Sequence, residues 1–278
     1  MNPITNTTSG NFVSAQDTLA ALQQAWAHLP PSEIAVAPSR VELGADRLPL
    51  PESFLDLRAI SQIPIEDVHE AFPMLASNYP VEWKEQVRQL RTRLTTAQAE
   101  LEGSGETLQI LALTSMDGHR NRYGTASNLA LALASMHDTR VLVIDASLSA
   151  PTLHATLRVP PGPGLCEATR AHRVALTPCF RRITGTQIYL LSVGDIHTYP
   201  MDPLDLRGLH NLLQSLREQF DWIILDGPGF DTPADTMAIT STADGTIMII
   251  ERERDSFRDV ARALGAVQGR RLLGAVMF

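Results

Sequence analysis

The sequence predicts an α/β protein: a doubly wound, mostly parallel sheet preceded by a proline-rich N-terminal segment. Three observations carry this expectation. From about residue 81 onward, short apolar runs alternate with stretches of helical periodicity, the pattern of strand–helix–strand units. Apolar residues make up 44% of the 278 and charged residues 19%, so the chain can bury a sizeable core and is neither wholly disordered nor fibrous. Nine of the 18 prolines fall in the first 80 residues, which leaves room there only for short elements. The length suits one large domain or two of ordinary size. We divide it into an N-terminal adapter or docking segment, 1–80, and an α/β domain, 81–278.

The elements follow in order. Gln16 to His28 reads as a helix, with Leu19, Leu22 and Trp26 at helical spacing and Pro30-Pro31 closing it. Ile65 to Phe72 reads as a second, shorter one. Val81 to Glu102 is free of proline and glycine, and Val87, Leu90, Leu94, Ala97 and Leu101 step by three and four along one face. Gly103-Ser104-Gly105 ends that helix. Strands are expected at Leu108–Leu113, Val141–Ile144, Ile188–Ser192, Trp222–Leu225, Thr246–Ile250 and Leu272–Met277. Helices are expected at Thr125–Met136, Leu204–Phe220 and Asp255–Val267. No internal repeat or low-complexity tract interrupts the series.

Several function classes drop out. Lys plus Arg number 23 against 31 Asp plus Glu, a net charge of -8, which argues against a protein that tracks nucleic-acid phosphates. Two cysteines, Cys166 and Cys179, cannot build a disulfide framework and suit a reducing compartment. No apolar run approaches a membrane span, and Met1 to Thr5 lacks the basic and apolar regions of a secretory signal. These features lead to the expectation of a soluble, cytoplasmic chain. The eight histidines never pair with Cys or Glu at zinc spacing, and no Gly-x-Ser-x-Gly elbow is present. Gly162-Pro163-Gly164 follows the wrong strand for a dinucleotide fingerprint, and Glu251 to Asp255 reads as a solvated loop.

Ligands of doubly wound sheets sit at the carboxyl ends of the strands, so the loop after the first strand of the α/β domain matters most. It runs from Thr114 to Thr125 and includes Asp117, Gly118, His119, Asn121, Arg122, Tyr123 and Gly124. A phosphate-binding loop in this place needs glycines to free its N–H groups, a Lys as a point charge, and a Ser or Thr hydroxyl for Mg²⁺. None of the three is plainly supplied. Elsewhere, an apolar strand ends in Asp145-Ala146-Ser147-Leu148-Ser149, and another in Asp226-Gly227-Pro228-Gly229. Glu85, Arg88 and Arg91 stand at intervals of three on the long helix before the strand expected at Leu108–Leu113.

Together these motifs resemble the bacterial tyrosine kinases (BY-kinases) of capsule and exopolysaccharide systems, relatives of the MinD/ParA ATPases. The resemblance covers about residues 82–278 and implies a P-loop NTPase type of fold. It implies a phosphate loop at Gly118, Asn121, Arg122, Tyr123, Gly124 and Thr125, in which Arg122 stands at the family's Lys and Tyr123 at its Ser/Thr. His119 and Asn121 stand where the family has glycines. Arg keeps the charge but not the compact ammonium, and a Tyr hydroxyl is too far from its Cα to replace a Ser hydroxyl on the metal. Asp145 matches the first acid of the family's Walker A′ segment, whose second acid is Ser147 here. Asp226 matches the Walker B acid, which would orient Mg²⁺, and Asp235 a further acidic position. Glu85, Arg88 and Arg91 match an E-x-x-R-x-x-R motif that supports subunit contacts in the family, and the tail tyrosines of that family are absent.

What the resemblance implies is therefore a catalytically impaired BY-kinase relative, a degenerate Walker A pseudokinase, in exopolysaccharide or capsule synthesis and export. It would be a homo-oligomer docking on a membrane chain-length or export protein, peripheral to the inner membrane through that partner, with no nucleic-acid partner. No cofactor is expected on this reading. Two alternatives stand: an active ATP- and Mg²⁺-binding tyrosine autokinase, with Asp145 and Asp226 as catalytic and metal candidates, and a MinD/ParA-type ATPase associated with a cellulose synthase.

Overall fold

The computed structural model describes residues 13–14, 55–65, 72, 75, 81–117, 122–148, 151, 159–160, 162–170, 175–197, 205–251, 254–267 and 272–277. The helix expected at Gln16–His28 lies outside them, as does most of that expected at Ile65–Phe72. The strands are β1 (Val13–Ser14), β2 (Ser61–Ile63), β3 (Ile110–Ser115), β4 (Val141–Asp145), β5 (Phe180–Ile183), β6 (Ile188–Leu191), β7 (Trp222–Asp226), β8 (Gly245–Ile250) and β9 (Leu272–Met277). The helices are α1 (Val81–Gly103), α2 (Arg122–Ala134), α3 (Leu165–Arg170), α4 (Leu206–Leu216), α5 (Pro233–Thr242) and α6 (Phe257–Val267).

All these strands form one sheet in the order β1-β9-β8-β3-β7-β4-β6-β5-β2. The six strands from β9 to β6 are mutually parallel. Both flanks break the pattern: β1 runs antiparallel to β9, and β5 antiparallel to β6, with β2 parallel to β5. Strands buried on both faces need apolar residues at every position rather than alternate ones. β3, β4, β6, β7 and β8 are accordingly buried along their whole length.

Two layers of helix cover the sheet. On one face, Leu90 and Leu94 of α1 and Ala126, Leu129, Ala130 and Leu133 of α2 meet Leu111, Leu113, Val143, Trp222 and Ile224. On the other, Leu165 of α3, Leu209, Leu212, Leu213 and Leu216 of α4 and Ile239 of α5 meet Leu142, Ile144, Ile223 and Leu225. A third cluster seats Val260, Ala261, Ala263, Leu264 and Val267 of α6 on Met248, Ile250 and Ala275. The apolar positions of α1 and α4 follow the three-four spacing of an amphipathic helix, which is why each buries one stripe. Asp205 starts α4 as an N-cap, its carboxylate accepting from the Arg207 N–H at 3.0 Å.

Differences from the sequence expectation have local causes. β3 begins at Ile110 rather than Leu108, since the N–H groups of Gln109 and Ile110 donate to the Asp244 carboxylate at 2.9 and 2.8 Å. It continues through polar Thr114 and Ser115, whose hydroxyls donate to the carbonyls of Pro228 (2.8 Å) and Asp117 (2.6 Å). β5 carries Arg181 and Arg182 and has no apolar pattern. Arg182 nonetheless stacks over the Tyr189 ring and donates to the Thr186 carbonyl, which makes a strand of a polar stretch. α5 is rich in threonine; the hydroxyls of Thr236 and Thr240 donate back to the carbonyls of Thr232 and Thr236, so they bury without loss of hydrogen bonds.

Candidate functional site

The carboxyl ends of β3, β4 and β7 lie side by side near the centre of the sheet, and the motifs read from the sequence converge there. The strand order brings two acids together that stand far apart in the chain. Asp145 ends β4 and Asp226 ends β7, and they are direct partners in the parallel ladder. Neighbouring strands are about 4.8 Å apart, and in-register residues of a parallel pair point to the same face. Both carboxylates therefore lie on the face covered by α1 and α2, in line with Val143 and Ile224 of that core. Each is fully buried.

Burying two carboxylates side by side is costly unless donors or a cation offset them. The Ser147 N–H donates to Oδ1 of Asp145 at 3.2 Å. Helix α2, which follows the loop after β3, begins at Arg122, and the positive end of its dipole belongs to that same carboxyl edge. The hydroxyl of Ser147 is buried and has no hydrogen-bond partner among the described residues. Two hard oxygen ligands and a spare hydroxyl are a donor set that suits a divalent cation such as Mg²⁺.

Of the residues expected to form a phosphate loop, the described ones stand at the start of α2. Arg122 and Tyr123 occupy the first turn of α2, the place of the Lys and the Ser/Thr in a working loop. Their side chains, and Gly118 to Asn121, lie outside the described residues. Gly124 is half-buried, while Thr125, Ser127 and Asn128 are buried in the next turns. The Asp226-to-Phe230 loop is stitched to β3: the N–H of Gly227 donates to the Leu113 carbonyl, and that of Phe230 to the Ser115 carbonyl, each at 2.9 Å. Thr236 anchors the same loop from α5 by donating to the Gly229 carbonyl at 2.7 Å. Asp235 is exposed in the first turn of α5.

One part of the site went unread in the sequence. The stretch after β8 is tied to the phosphate loop: Arg254 lies 3.5 Å from the Asp117 carboxylate and 3.4 Å from that of Glu251. Asp255 accepts from the Glu251 N–H at 2.7 Å, and burial, with Asp117 and Glu251 adding repulsion, pushes its carboxyl above the ordinary range. Asp117 thus adds an acid at the end of β3, and among the described residues Arg254 pairs with both it and Glu251. Only the adjacency of β3 and β8 reveals this, and the sequence carries no signal for it.

The three residues of the helical motif divide. Glu85 and Arg88 are exposed and pair with each other at 3.6 Å. Arg91 is half-buried and points across to α2, where its guanidinium donates to the Ser135 hydroxyl (3.3 Å) and the Ala132 carbonyl (3.5 Å). A cation is well placed there, at the negative end of that helix. Cys166 and Cys179 are free and buried, and desolvation, with the Glu167 charge adding to it, pushes each thiol up to about 11.

Among the described residues no helix is long and apolar enough to cross a membrane, and no group of three or more His, Cys, Asp or Glu is arranged to hold a metal. No protein-family model matches the chain. The tyrosine-protein kinase YwqD of Bacillus subtilis (strain 168) is 25% identical over 195 residues, which cover 69% of this chain and 79% of that protein. In structure, the chimerical protein CapA2B2 superposes with a TM-score of 0.64 at 20% identity, covering 82% of this chain and 93% of the other. The septum site-determining protein MinD of Pyrococcus horikoshii OT3, complexed with Mg-ADP, gives a TM-score of 0.50 at 22% identity over 61% of this chain and 69% of its own. The structural likenesses establish a P-loop NTPase type of α/β fold, and in sequence the chain is similar to bacterial tyrosine kinases over about two thirds of its length.

Proposed function

We propose that this chain is a catalytically impaired BY-kinase relative that supports or regulates exopolysaccharide or capsule synthesis and export through protein–protein contacts. The observation that carries the reading is the start of α2 at Arg122. With the resemblance to the BY-kinase loop, this start supports reading Arg122 and Tyr123 as replacements for the compact ammonium and short hydroxyl that a triphosphate would need. His119 and Asn121 replace glycines in the same loop, and Asp117 adds an acid at the end of β3. On this reading the chain works in the cytoplasm against a membrane chain-length or export protein, as a homo-oligomer that uses the exposed Glu85–Arg88 face of α1. Arg91 then serves that surface by holding α1 to α2.

A second reading has its own support. Asp145 and Asp226 are adjacent, buried and suited to a divalent cation, as an active ATP-dependent enzyme would require. In that version the two acids hold Mg²⁺, Arg122 and the loop backbone hold phosphate, and the metal would supply charge neutralisation for phosphoryl transfer. Titration calorimetry with Mg-ATP separates the two. The impaired reading expects no binding at micromolar concentration by the parent chain. It expects binding to appear when His119→Gly, Asn121→Gly, Arg122→Lys and Tyr123→Thr are combined. Micromolar binding by the parent that Asp226→Ala abolishes would reverse the choice.

A further inference from the structure

The proline-rich N-terminal segment touches the sheet at both of its edges. Val13 and Ser14 form β1 and pair antiparallel with Ala275 and Gly274 of β9. Ser61 to Ile63 form β2 and pair with Arg181 to Ile183 of β5, at the opposite edge. Ser14 and Ser61 thus stand at opposite edges of the sheet, eight strand spacings or roughly 38 Å apart.

The attachment at β5 is substantial. Leu55 and Ile60 are buried in the cluster under α3 and α4, whereas Ile63 and Phe72 are buried in the cluster under α1 and α2, so this stretch wraps the edge and serves both faces. Polar contacts add to it. The Asp56 N–H donates to the Thr177 hydroxyl at 3.1 Å, and the Thr184 N–H to the Ile63 carbonyl at 2.9 Å. A strand edge ends well here in any case. β2 has three residues, two of them exposed and polar, and Pro64 follows directly.

The β9 edge is different. Its sequence, Leu272-Leu273-Gly274-Ala275-Val276-Met277, has six residues with no charge and no proline. A strand of that composition left open at a sheet edge is a template for pairing with another chain. Among the described residues only β1 lies beyond it in the sheet.

We propose that the N-terminal segment is a strap with two anchors: held at β5 by residues 55–65 and Phe72, it lays Val13-Ser14 along β9 and so keeps that edge from pairing with a second copy of the chain. The inference rests on strand pairing and on the burial at β5, and it stands whether or not the loop at Arg122 binds nucleotide. Two full-length variants test it. Paired Cα positions in an antiparallel ladder are within disulfide reach, so Val13→Cys with Ala275→Cys should oxidise to a cross-link within one chain. On a non-reducing gel this gives a faster-running monomer band that a reductant reverses. A disulfide-linked dimer, or no cross-link, would overturn the strap. In the second variant, Val13→Pro with Ser14→Pro removes two N–H donors from β1. Its β9 amides should exchange with deuterium at least tenfold faster than those of the parent. Its average mass by light scattering should rise with concentration beyond that of the parent. Unchanged exchange and unchanged mass would show that β9 needs no cover.

Discussion

Asp244 gives the sharpest test of how the sheet is held in register. It lies between α5 and β8, at the amino end of the sheet, and its side chain is 14% exposed. One oxygen accepts from the N–H groups of Gln109 and Ile110, and both receive the Arg217 guanidinium, at 2.8 and 2.6 Å. Gln109 closes the circuit by donating to the Arg217 carbonyl at 2.8 Å. This network fixes where β3 starts, and hence the register in which its carboxyl end meets β7 and β8. Asp244→Ala leaves two N–H groups short of an acceptor and a largely buried guanidinium without its ion. Breaking one partner of such a buried pair costs about 3–5 kcal/mol, because the other charge is left without its ion; a stranded N–H group that water cannot reach costs about 1–3 kcal/mol. Because the pair keeps some exposure, the lower end of that range, about 3 kcal/mol, is the expected loss. Asp244→Asn keeps one oxygen for the backbone donors and should lose about half as much. Urea unfolding followed by circular dichroism measures both, and with slopes of about 1–3 kcal/mol/M the alanine variant's midpoint should fall by about 1 M or more. An alanine variant within about 0.5 kcal/mol of the parent, the range of an ordinary surface change, would refute the reasoning.

Three further outcomes follow from other parts of the molecule. Cys166 and Cys179, pushed from 9.0 up to about 11, should resist a thiol reagent at pH 8 in the folded chain and react once it is unfolded. Their raised values stabilise the fold below pH 9, and that contribution should fade as pH rises toward 11, because the unfolded thiols ionise first. Glu85→Ala and Arg88→Ala remove an exposed pair and should shift stability by less than about 1 kcal/mol while altering assembly mass in light scattering. Gly208→Ala would drive a methyl group against the Thr169 carbonyl where α3 crosses α4, and should cost about 1–3 kcal/mol in thermal or urea unfolding.

Much of the central sheet could be read directly from the sequence, since strands buried on both faces announce themselves as unbroken apolar runs. Leu272–Met277 lies where expected, and Val141–Ile144 and Trp222–Leu225 each gain only the acid that follows. The flanks were illegible for a physical reason. β2 and β5 draw their stability from neighbours and from satisfied arginines rather than from periodicity, and three or four residues are too few to show a period. The acids of the site were found singly, at strand ends, but their adjacency was hidden. β7 lies between β3 and β4 in space and 77 positions after β4 in the chain, so only the topology makes Asp145 and Asp226 neighbours. The Asp117–Arg254 contact is of the same kind, a product of strand order. Arg91 illustrates the converse, since a spacing of three on a helix cannot tell a side chain that faces outward from one that reaches the next helix.

The claim on which the functional account turns is that a scaffold with its two acids intact has lost the cradle for a triphosphate. Release of inorganic phosphate from ATP in the presence of Mg²⁺, measured on the parent chain beside Asp145→Asn and Asp226→Asn, addresses it most directly. The account predicts a parent rate equal to the background and to both variants. Turnover by the parent that either substitution eliminates would contradict it.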